Sequence, residues 1–358
     1  MTYALAAAGT GGHIYPALAV AEELEGRGVP RDHIVFFGGS RLERVAVPEA
    51  GFELVEIEIR GLSRSFSFDN VTLPAVVARA AGVVGRELRA RRVRVLGAFG
   101  GYVSVPAAWG ARRAGTRYVL HEQNAVPGLA NKLIAKRADR VMVAFPAAAI
   151  TLKGAEVVGN PLRSRLASFD RATLRPTALT HYQLDGDRPI VGILGGSQGA
   201  RVLNESAAGI RAARPEAQII HLTGTIHEEV MRSQVTDDPT WRVVAFEPAM
   251  ELFYAAADLV LSRAGALTVS ELAATGTPAV VVPYAAGTGA HQTANAAQLV
   301  EAGGAILVEE SEADSLVATV ADLVADTSRR TVMAKSASSV AHPDAASRVA
   351  DAMLEVAA

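Results

Sequence analysis

The sequence contains no cysteine, no long apolar run and almost no net charge, and each absence excludes a class of protein. Without cysteine the chain has no disulfide, no thiolate metal site and no cysteine nucleophile. A net charge of −2 argues against broad nucleic-acid binding, because a basic surface dominates that affinity. No apolar stretch reaches the roughly 18 residues that a membrane span needs. The start, MTYALAAAG, lacks a basic region and predicts a first strand rather than a signal peptide.

The length and the pattern of the chain predict an α/β protein with two domains. A chain of 358 residues, half of them apolar, is too long for one ordinary core. Strand-like and helix-like segments alternate throughout, which indicates parallel sheets with crossover helices. The predicted strands are 3–8, 33–37, 93–98, 117–120, 141–144, 190–194, 218–222, 242–245, 258–262 and 279–282. Helices are predicted near 17–25, 200–210 and 345–357, the last with Asp344 as its cap.

A strand, a glycine turn and a helix open both halves of the chain. The turns are Gly9–Gly12 and Gly195–Gly199. The repeated opening suggests two Rossmann-like domains, which we place at 1–159 and 160–342.

His13 ends the first glycine turn, where a phosphate loop would carry a lysine or a third glycine. The residue fits two interpretations. One is a helix cap or a loop hydrogen bond. The other is a general base, because imidazole titrates near neutral pH.

The second half has two helix starts that suit phosphate groups. Backbone N–H groups at Gly195–Gly199 are expected to point outward at the positive end of a helix, and Ser197 adds a hydroxyl. A second glycine element precedes the helix that contains Glu271. That carboxylate either only favours its helix N-terminus or accepts hydrogen bonds from ribose hydroxyls.

Two polar clusters are further candidates. His121-Glu122-Gln123-Asn124 follows a predicted strand, where open α/β sheets bind ligands. His291, Gln292 and Asn295 precede a predicted helix, and without other support we favour plain solvent exposure as their explanation. Capping and loop hydrogen bonds explain about half of the first cluster.

Six motifs that occur in one order carry a resemblance to a known family. They are Gly9-Thr10-Gly11-Gly12-His13-Ile14 with Pro16, Gly100-Gly101-Tyr102-Val103, His121-Glu122-Gln123-Asn124, Gly159-Asn160-Pro161, Gly195-Gly196-Ser197-Gln198-Gly199 and Ala266–Glu271. Together they closely resemble the MurG family, the bacterial UDP-N-acetylglucosamine (UDP-GlcNAc) transferases of peptidoglycan synthesis. The resemblance covers essentially the whole chain.

The resemblance implies a GT-B glycosyltransferase architecture, in which two Rossmann-like domains face each other across a cleft. It also implies that the helix within 343–358 packs back on the first domain. The implied donor is UDP-GlcNAc and the implied acceptor is lipid I (undecaprenyl-pyrophosphoryl-MurNAc-pentapeptide), with lipid II as product. The family inverts the anomeric centre, so His13 is the candidate base. No cofactor and no metal are expected, because Arg163 and the helix starts can stabilise the diphosphate.

The same resemblance assigns a UDP-GlcNAc contact to each residue that matches the family pattern. Near the sugar these residues are Thr10, Gly11, Gly12 and Asn124, and at the diphosphate they are Arg163 and Ser197. Glu247 would contact the uracil through its backbone, and Glu271 would bind the ribose. Ala266, Leu267 and Thr268 would give backbone and hydroxyl contacts, and Gln292 would hold the donor near the sugar and phosphate. His291-Gln292 stands where the family often has Gln-Gln, so only Gln292 transfers.

A membrane-docking face is expected in the segment 62–92. Phe66 and Phe68 with the positive charge of Arg79 would contact anionic inner-leaflet lipids. The alternative is an ordinary crossover helix with its apolar side against the sheet. The resemblance places the protein peripherally on the cytoplasmic face of the cell membrane, with a cell-wall synthesis complex as a further partner and no nucleic acid.

Other functions remain open at this point. A GT-B transferase for another lipid or aglycone would share the second domain but not both acceptor-side motifs, 100–103 and 121–124. A non-catalytic membrane scaffold that only binds the UDP-sugar would not need His13. A sugar-nucleotide epimerase would have no use for the acceptor motifs, and a dehydrogenase would need a third glycine in its turn.

Overall fold

The computed structural model describes residues 1–59, 69–196, 199–235, 238–284 and 289–358. The chain divides into two compact units. Unit 1 comprises Met1–Ser164 and Pro343–Ala358, and unit 2 comprises Arg165–His342. Each unit has its own parallel sheet and its own core.

The sheet of unit 1 has seven strands within the described residues. They are β1 (Thr2–Ala6), β2 (Ile34–Gly38), β3 (Glu53–Glu56), β4 (Val93–Ala98), β5 (Arg117–Glu122), β6 (Arg140–Val143) and β7 (Glu156–Val157). All pairings are parallel, in the order β3-β2-β1-β4-β5-β6-β7. The helices are α1 (Gly11–Gly26), α2 (Glu43–Glu49), α3 (Asp69–Ala90), α4 (Ser104–Ala114), α5 (Leu129–Ala135) and α6 (Pro146–Thr151), with a 3-10 turn at Arg31–His33.

A short helix, α7 (Ser164–Ala167), leads into unit 2. The strands that the structure describes there are β8 (Ile190–Leu194), β9 (Gln218–Leu222), β10 (Trp241–Val244), β11 (Leu259–Ser262), β12 (Ala279–Val281) and β13 (Ala305–Leu307). They pair in parallel in the order β10-β9-β8-β11-β12-β13. The helices are α8 (Arg171–Tyr182), α9 (Arg201–Ala213), α10 (Glu228–Gln234), α11 (Met250–Ala256), α12 (Ala266–Ala274), α13 (Gly289–Glu301), α14 (Ala313–Ala325) and α15 (Thr327–Ser338), with a 3-10 turn at Glu310–Glu312.

The last helix, α16 (Ala345–Ala357), belongs to unit 1 and packs against α1 and the sheet. Its Met353 is fully buried in the core layer that also holds Leu5 of β1. Polar contacts secure its outer side, since Arg27 Nε donates to Asp351 Oδ1 at 3.0 Å. The opposite face of the sheet is covered by α3 and α4.

The strand and helix predictions are mostly confirmed, with differences that concern the site. The bounds predicted for β8, β9 and α16 are those observed, although the Asp344 side chain makes no capping hydrogen bond. The strands β3, β7 and β13 were not predicted. The first helix begins at Gly11 rather than near residue 17, because buried Ile14 and Leu18 extend its apolar face across the glycines.

Candidate active site

The strand order of each sheet reverses at one point. In unit 1 the reversal lies between β1 and β4, and in unit 2 between β8 and β11. Open α/β sheets bind ligands beyond the carboxyl ends of the strands at such a reversal. The predicted glycine motifs follow these four strands, so each unit has its candidate site at this point.

His13 lies in the first turn of α1, after the N-cap residue Thr10. The residue therefore stands on a helix and not at the tip of a turn, which corrects the predicted position. Its half-buried ring has Nδ1 3.5 Å from Thr10 Oγ1. A Cβ on Gly100 would lie 2.7 Å from His13 Cδ2 and 3.0 Å from Nε2. The glycine after β4 thus leaves room for the imidazole.

The surroundings of His13 favour the neutral form of its imidazole. Burial lowers the pKa of His13, and the carboxylates of Glu122 and Glu43 and the backbone of Ala8 oppose the shift without cancelling it. A neutral imidazole can accept a proton, whereas an imidazolium cannot. The environment of His13 is therefore compatible with a role as general base.

A buried carboxylate beside this turn was missed by the sequence analysis. Glu43 has no exposed surface and accepts hydrogen bonds from Gly9 N–H at 3.0 Å, Gly39 N–H at 2.9 Å and Tyr102 O–H at 2.8 Å. It stands in the polar segment Ser40–Arg44, which looks like a solvent-exposed loop. The glycine pair at 38–39 is the only local signal for a close approach.

The motif at residues 121–124 is largely internal. The strand β5 extends through Glu122, so His121, Glu122 and Gln123 are buried and only Asn124 is half-exposed. His121 Nε2 lies 2.9 Å from Gly159 O, and burial lowers the pKa of His121 to about 4. Burial and internal hydrogen bonds thus account for the first three side chains of the motif, and Asn124 is the one that keeps an exposed part.

Glu122 holds Asn124 in place. One carboxylate oxygen accepts from Asn124 N–H at 2.8 Å and from its Nδ2 at 3.2 Å. The other accepts from Gly128 N–H at 3.1 Å and from Asn131 Nδ2 at 2.8 Å. The predicted sugar contact Asn124 thus has a fixed orientation.

Tyr15 brings two other predicted residues together in unit 1. The Arg163 guanidinium lies over the Tyr15 ring, 5.2 Å from its centroid. A Cβ on Gly11 would lie 2.8 Å from Tyr15 Cε2. Arg163 is therefore placed beside the glycine turn of unit 1, whereas the other predicted diphosphate residue, Ser197, belongs to unit 2 and lies outside the described residues.

The glycine turn after β8 approaches the neighbouring strand closely. Gly199 has φ +72, and a Cβ there would lie 2.1 Å from Thr223 O. Only a glycine fits this position without a shift of the backbone. The helix α9 begins two residues later, so its first N–H groups point toward the carboxyl end of the sheet.

Glu271 is held in the helix α12 by a buried tyrosine. The carboxylate is 8% exposed, and its Oε2 accepts a hydrogen bond from Tyr254 O–H at 2.8 Å. Ala266, Leu267 and Thr268 form the first turn of the same helix, whose N-cap is Gly265. The predicted ribose contact and the predicted backbone contacts therefore share one helix start at the reversal point.

Gln292 and Glu247 are both engaged by neighbouring groups of unit 2. Gln292 lies within α13 rather than ahead of a helix, and its Oε1 accepts from Tyr284 N–H at 2.9 Å. The buried Glu247 carboxylate accepts from Tyr182 O–H at 2.6 Å, His181 Nε2 at 3.1 Å and Ala249 N–H at 2.8 Å. Its side chain is thereby fixed, so only the backbone of Glu247 can serve the predicted contact.

The predicted docking face is described only in part. Phe66 and Phe68 lie outside the described residues. Arg79 is exposed on α3, while Val84 and Leu88 of the same helix are buried in the core of unit 1. The apolar stripe of α3 is thus mainly a crossover-helix face.

A groove of about 630 Å³ lies on the surface formed by α4 and α5. Its lining combines apolar and basic side chains, namely Trp109, Arg112, Arg113, Tyr118, Leu133, Ile134, Lys136 and Arg137. Trp109 is 39% exposed and Leu133 is 53% exposed, which is high for large apolar residues. Sequence reasoning did not identify this basic, apolar groove.

Two absences hold for the part of the chain that the structure describes. No group of three or more His, Asp or Glu side chains is arranged to hold a metal ion there. Among the same residues, no helix has both the length and the apolar character needed to cross a bilayer.

Models of two domain families match the chain. The glycosyltransferase family 28 N-terminal domain matches residues 3–143, and the glycosyltransferase family 28 C-terminal domain matches residues 190–349. Each match begins at the first strand of a sheet and includes the strand reversal of its unit.

Curated relatives match over nearly their full length. A protein of Clavibacter michiganensis subsp. michiganensis is 41% identical over 99% of this chain and 96% of its own length. A protein of Acidothermus cellulolyticus is 41% identical over 100% of this chain and 98% of its own. Both are named UDP-N-acetylglucosamine–N-acetylmuramyl-(pentapeptide) pyrophosphoryl-undecaprenol N-acetylglucosamine transferase.

Solved structures agree with the fold. MurG of Acinetobacter baumannii has a TM-score of 0.78 at 29% identity and covers 99% of this chain and 100% of its own. The calicheamicin glycosyltransferase has a TM-score of 0.67 at 18% identity, with 99% and 98% covered. At that identity the second likeness shows the fold alone.

Proposed function

The chain belongs to glycosyltransferase family 28, and from this premise we propose that it transfers GlcNAc from UDP-GlcNAc to the MurNAc 4-hydroxyl of lipid I. The product is lipid II, a precursor of peptidoglycan. The observation that carries the proposal is the 41% identity to transferases of that name over 99% of the chain. This range includes the glycine turns at both strand reversals.

The proposed donor contacts lie mainly in unit 2. Glu271 would accept hydrogen bonds from the ribose hydroxyls, since Tyr254 already fixes its carboxylate. The helix starts at α9 and α12 would stabilise the diphosphate through their N–H groups. Further proposed contacts are Ser197, Glu247 through its backbone, Ala266, Leu267, Thr268 and Gln292, and in unit 1 Thr10, Gly11, Gly12, Asn124 and Arg163.

The proposed chemistry is a single inverting displacement. The MurNAc 4-oxygen attacks the anomeric carbon of GlcNAc, and the bond from that carbon to the UDP oxygen breaks with its electron pair leaving on UDP. His13 takes the proton of the 4-hydroxyl as the new bond forms. Its neutral ring, kept so by burial, is the form that can accept that proton.

A comparison of acceptors tests the proposal against its rivals. We expect the purified chain to release UDP steadily from UDP-GlcNAc when a soluble lipid I analogue is present. Undecaprenyl pyrophosphate without MurNAc and a simple aromatic aglycone should not stimulate the release. Release with the aglycone instead would favour a GT-B transferase of another class. UDP binding without release in every case would favour a non-catalytic scaffold.

We further propose that unit 1 docks peripherally on anionic lipids at the cytoplasmic face of the membrane. The acceptor proposed above is a lipid, so the chain must meet a bilayer surface. The α4–α5 groove has exposed Trp109 and Leu133 between four basic side chains, a combination that suits anionic headgroups above acyl chains. Phe66, Phe68 and Arg79 remain part of the proposed face.

Co-sedimentation with phosphatidylglycerol-containing vesicles tests the docking face. A Trp109→Ser, Leu133→Ser variant and a Phe66→Ser, Phe68→Ser, Arg79→Ser variant should each bind less than the parent. Ile226→Ser is the matched control, because this apolar residue is 66% exposed but belongs to unit 2. If both test variants stay folded and bind like the control, the docking face lies elsewhere.

A further inference from the structure

The buried carboxylate of Glu43 connects three turns at the carboxyl end of the unit 1 sheet. Gly9 follows β1, Gly39 follows β2 and Tyr102 follows β4, and each donates a hydrogen bond to Glu43. These three strands are neighbours in the sheet. One side chain therefore joins the turns after three neighbouring strands, and one of these turns leads into the helix of His13.

The turns fit around this carboxylate with little freedom. Gly9 has φ +104, and a Cβ on Gly39 would lie 1.9 Å from Tyr102 Oη. A Cβ on Gly101, at φ +78, would lie 2.2 Å from Ala8 O. Only glycine tolerates such φ values and such close backbone approaches. The Arg41 guanidinium covers the Tyr102 ring, 5.5 Å from its centroid.

Glu43 carries its charge without an ion-pair partner in the described part of the chain. Burial raises the pKa of Glu43, but the hydrogen bonds from Gly9, its own N–H, Tyr102 and Gly39 outweigh it, so the pKa lies below its usual value. A buried charge is expensive unless it is well hydrogen-bonded. Glu43 meets this condition, because its two carboxylate oxygens accept three hydrogen bonds from the surrounding turns.

The charge acts on His13. The groups that face the imidazole are Glu122 from β5, Glu43 from α2, Thr10 and the Ala8 backbone before α1, and Gly100 after β4. Both carboxylates raise the pKa of His13 against the effect of burial. Glu122 raises the pKa of His13 more than Glu43 does, but Glu43 is the carboxylate that also binds the turn from which the helix of His13 starts.

We propose that Glu43 is a positioning residue for His13, which it serves in two ways. Through Gly9 it fixes the start of α1, and hence the place of the imidazole. Through its charge it stabilises the imidazolium that forms when His13 takes the acceptor proton. The proposal rests on the proposed role of His13 as base. Glu43 touches neither substrate in this account and acts through another residue.

The variant Glu43→Gln tests both parts. A glutamine has one acceptor oxygen, so its NH2 group must face one of the N–H or O–H donors that Glu43 now satisfies. We expect kcat to fall about tenfold, which corresponds to the loss of one hydrogen bond of ordinary strength, and KM for UDP-GlcNAc to change less than kcat. The acidic limb of the pH–rate profile should move to lower pH, because removal of a negative charge makes His13 less basic. Glu56→Gln is the matched control, since this carboxylate of unit 1 is exposed and pairs with Arg44.

A measurement without substrate separates this proposal from the proposed function. The chain has eight histidines, so His13 is assigned in the NMR spectrum by comparison with His13→Gln. Its titration midpoint should move to lower pH in Glu43→Gln and stay in place in Glu56→Gln. The expected shift of the midpoint does not depend on whether the parent transfers GlcNAc. Failure of the transfer would contradict the proposed function alone. A folded Glu43→Gln with an unchanged midpoint and an unchanged pH–rate profile overturns the role of Glu43.

If Glu43→Gln does not fold, Glu43→Asp carries the test. It keeps the charge but is one methylene shorter, so it cannot reach Gly9, Gly39 and Tyr102 together. The midpoint of His13 should stay close to that of the parent while kcat falls. Parent-like kcat in this variant contradicts positioning through Gly9.

Discussion

The two units use the same strand order to build sites of different chemistry. In both, a glycine turn follows the first strand beside the point where the order reverses. In unit 1 this turn leads into the helix that carries His13, and two buried carboxylates, Glu43 and Glu122, act on its imidazole. The sites of unit 2 consist of helix starts with Glu271 beside them. The same scaffold thus holds the proposed proton acceptor in one unit and the proposed N–H donors in the other.

The difference lies in what surrounds each glycine turn. In unit 1, Gly100 gives space to an imidazole and Gly9 donates to a carboxylate. In unit 2, Gly199 packs against the backbone of Thr223 and Gly196 has open space around it. A turn with open space at the start of a helix suits an anionic ligand, while a turn filled by side chains suits acid–base chemistry.

The largest expected effect separates the two sites. His13→Ala should lower kcat by about 10²–10⁴-fold, which is what general-base assistance contributes. Its affinity for UDP should not change, because the donor contacts proposed for UDP lie mainly in unit 2. Stopped assays with the lipid I analogue and titration calorimetry with UDP measure the two quantities. His33→Ala, in the same unit, is the control, and near-parent turnover in His13→Ala rules out the base assignment.

Each unit also buries one neutral histidine, which predicts a loss of stability in acid. Burial lowers the pKa of His121 in unit 1 and of His221 in unit 2 to about 4. The unfolded chain binds their protons near pH 6.5, so the free energy of unfolding should fall as the pH drops from 6.5 toward 4. Each residue contributes about 3 kcal/mol at most over that range.

Urea unfolding at several pH values checks this expectation. His121→Asn and His221→Asn should each show a shallower dependence on pH than the parent. Because the residues lie in different units, the two reductions should add in the double variant. Curves parallel to that of the parent would mean that other groups control the acid transition.

Glu271→Ala should weaken binding of the donor and leave binding of the acceptor unchanged. Loss of a hydrogen bond to a charged group weakens binding by about 1.5–3 kcal/mol, so the Kd for UDP should rise by roughly one to two orders of magnitude. Tyr254→Phe is the matched variant, because it keeps the carboxylate and removes only the hydroxyl that fixes it. Tyr254→Phe should raise the Kd for UDP less than Glu271→Ala does.

A second ligand shows whether the ribose is the partner. Glu271→Ala should bind 2′-deoxy-UDP nearly as well as it binds UDP, while the parent should distinguish the two. Equal discrimination by parent and variant would mean that Glu271 only stabilises its helix.

Regular apolar patterns made much of the fold predictable. The runs Ile190–Leu194 and Gln218–Leu222 are buried central strands, and their predicted bounds are those observed. The strand β3 reads ELVE and lies at a sheet edge, where polar ends hide the pattern. The strands β7 and β13 are too short for any periodicity.

The site was predictable where glycine spacing marks it and not where distant groups meet. His13, Glu271 and the glycine turns stand in recognisable local motifs. Glu43 binds Gly9 and Tyr102, and Tyr254 binds Glu271, through hydrogen bonds to residues distant in the sequence, and the glycine pair at 38–39 beside Glu43 is only a weak local signal. His121 and Gln123 look like exposed polar residues in the sequence. They are buried because the strand β5 continues two residues beyond its predicted end, through Glu122.

The mass of a soluble lipid I analogue after incubation with UDP-GlcNAc and the purified chain tests the central claim most directly. The account predicts a gain of one GlcNAc residue per acceptor, β-linked to the MurNAc 4-oxygen, with one UDP released for each product. An unchanged acceptor mass, under conditions in which the chain binds UDP-GlcNAc, would contradict it.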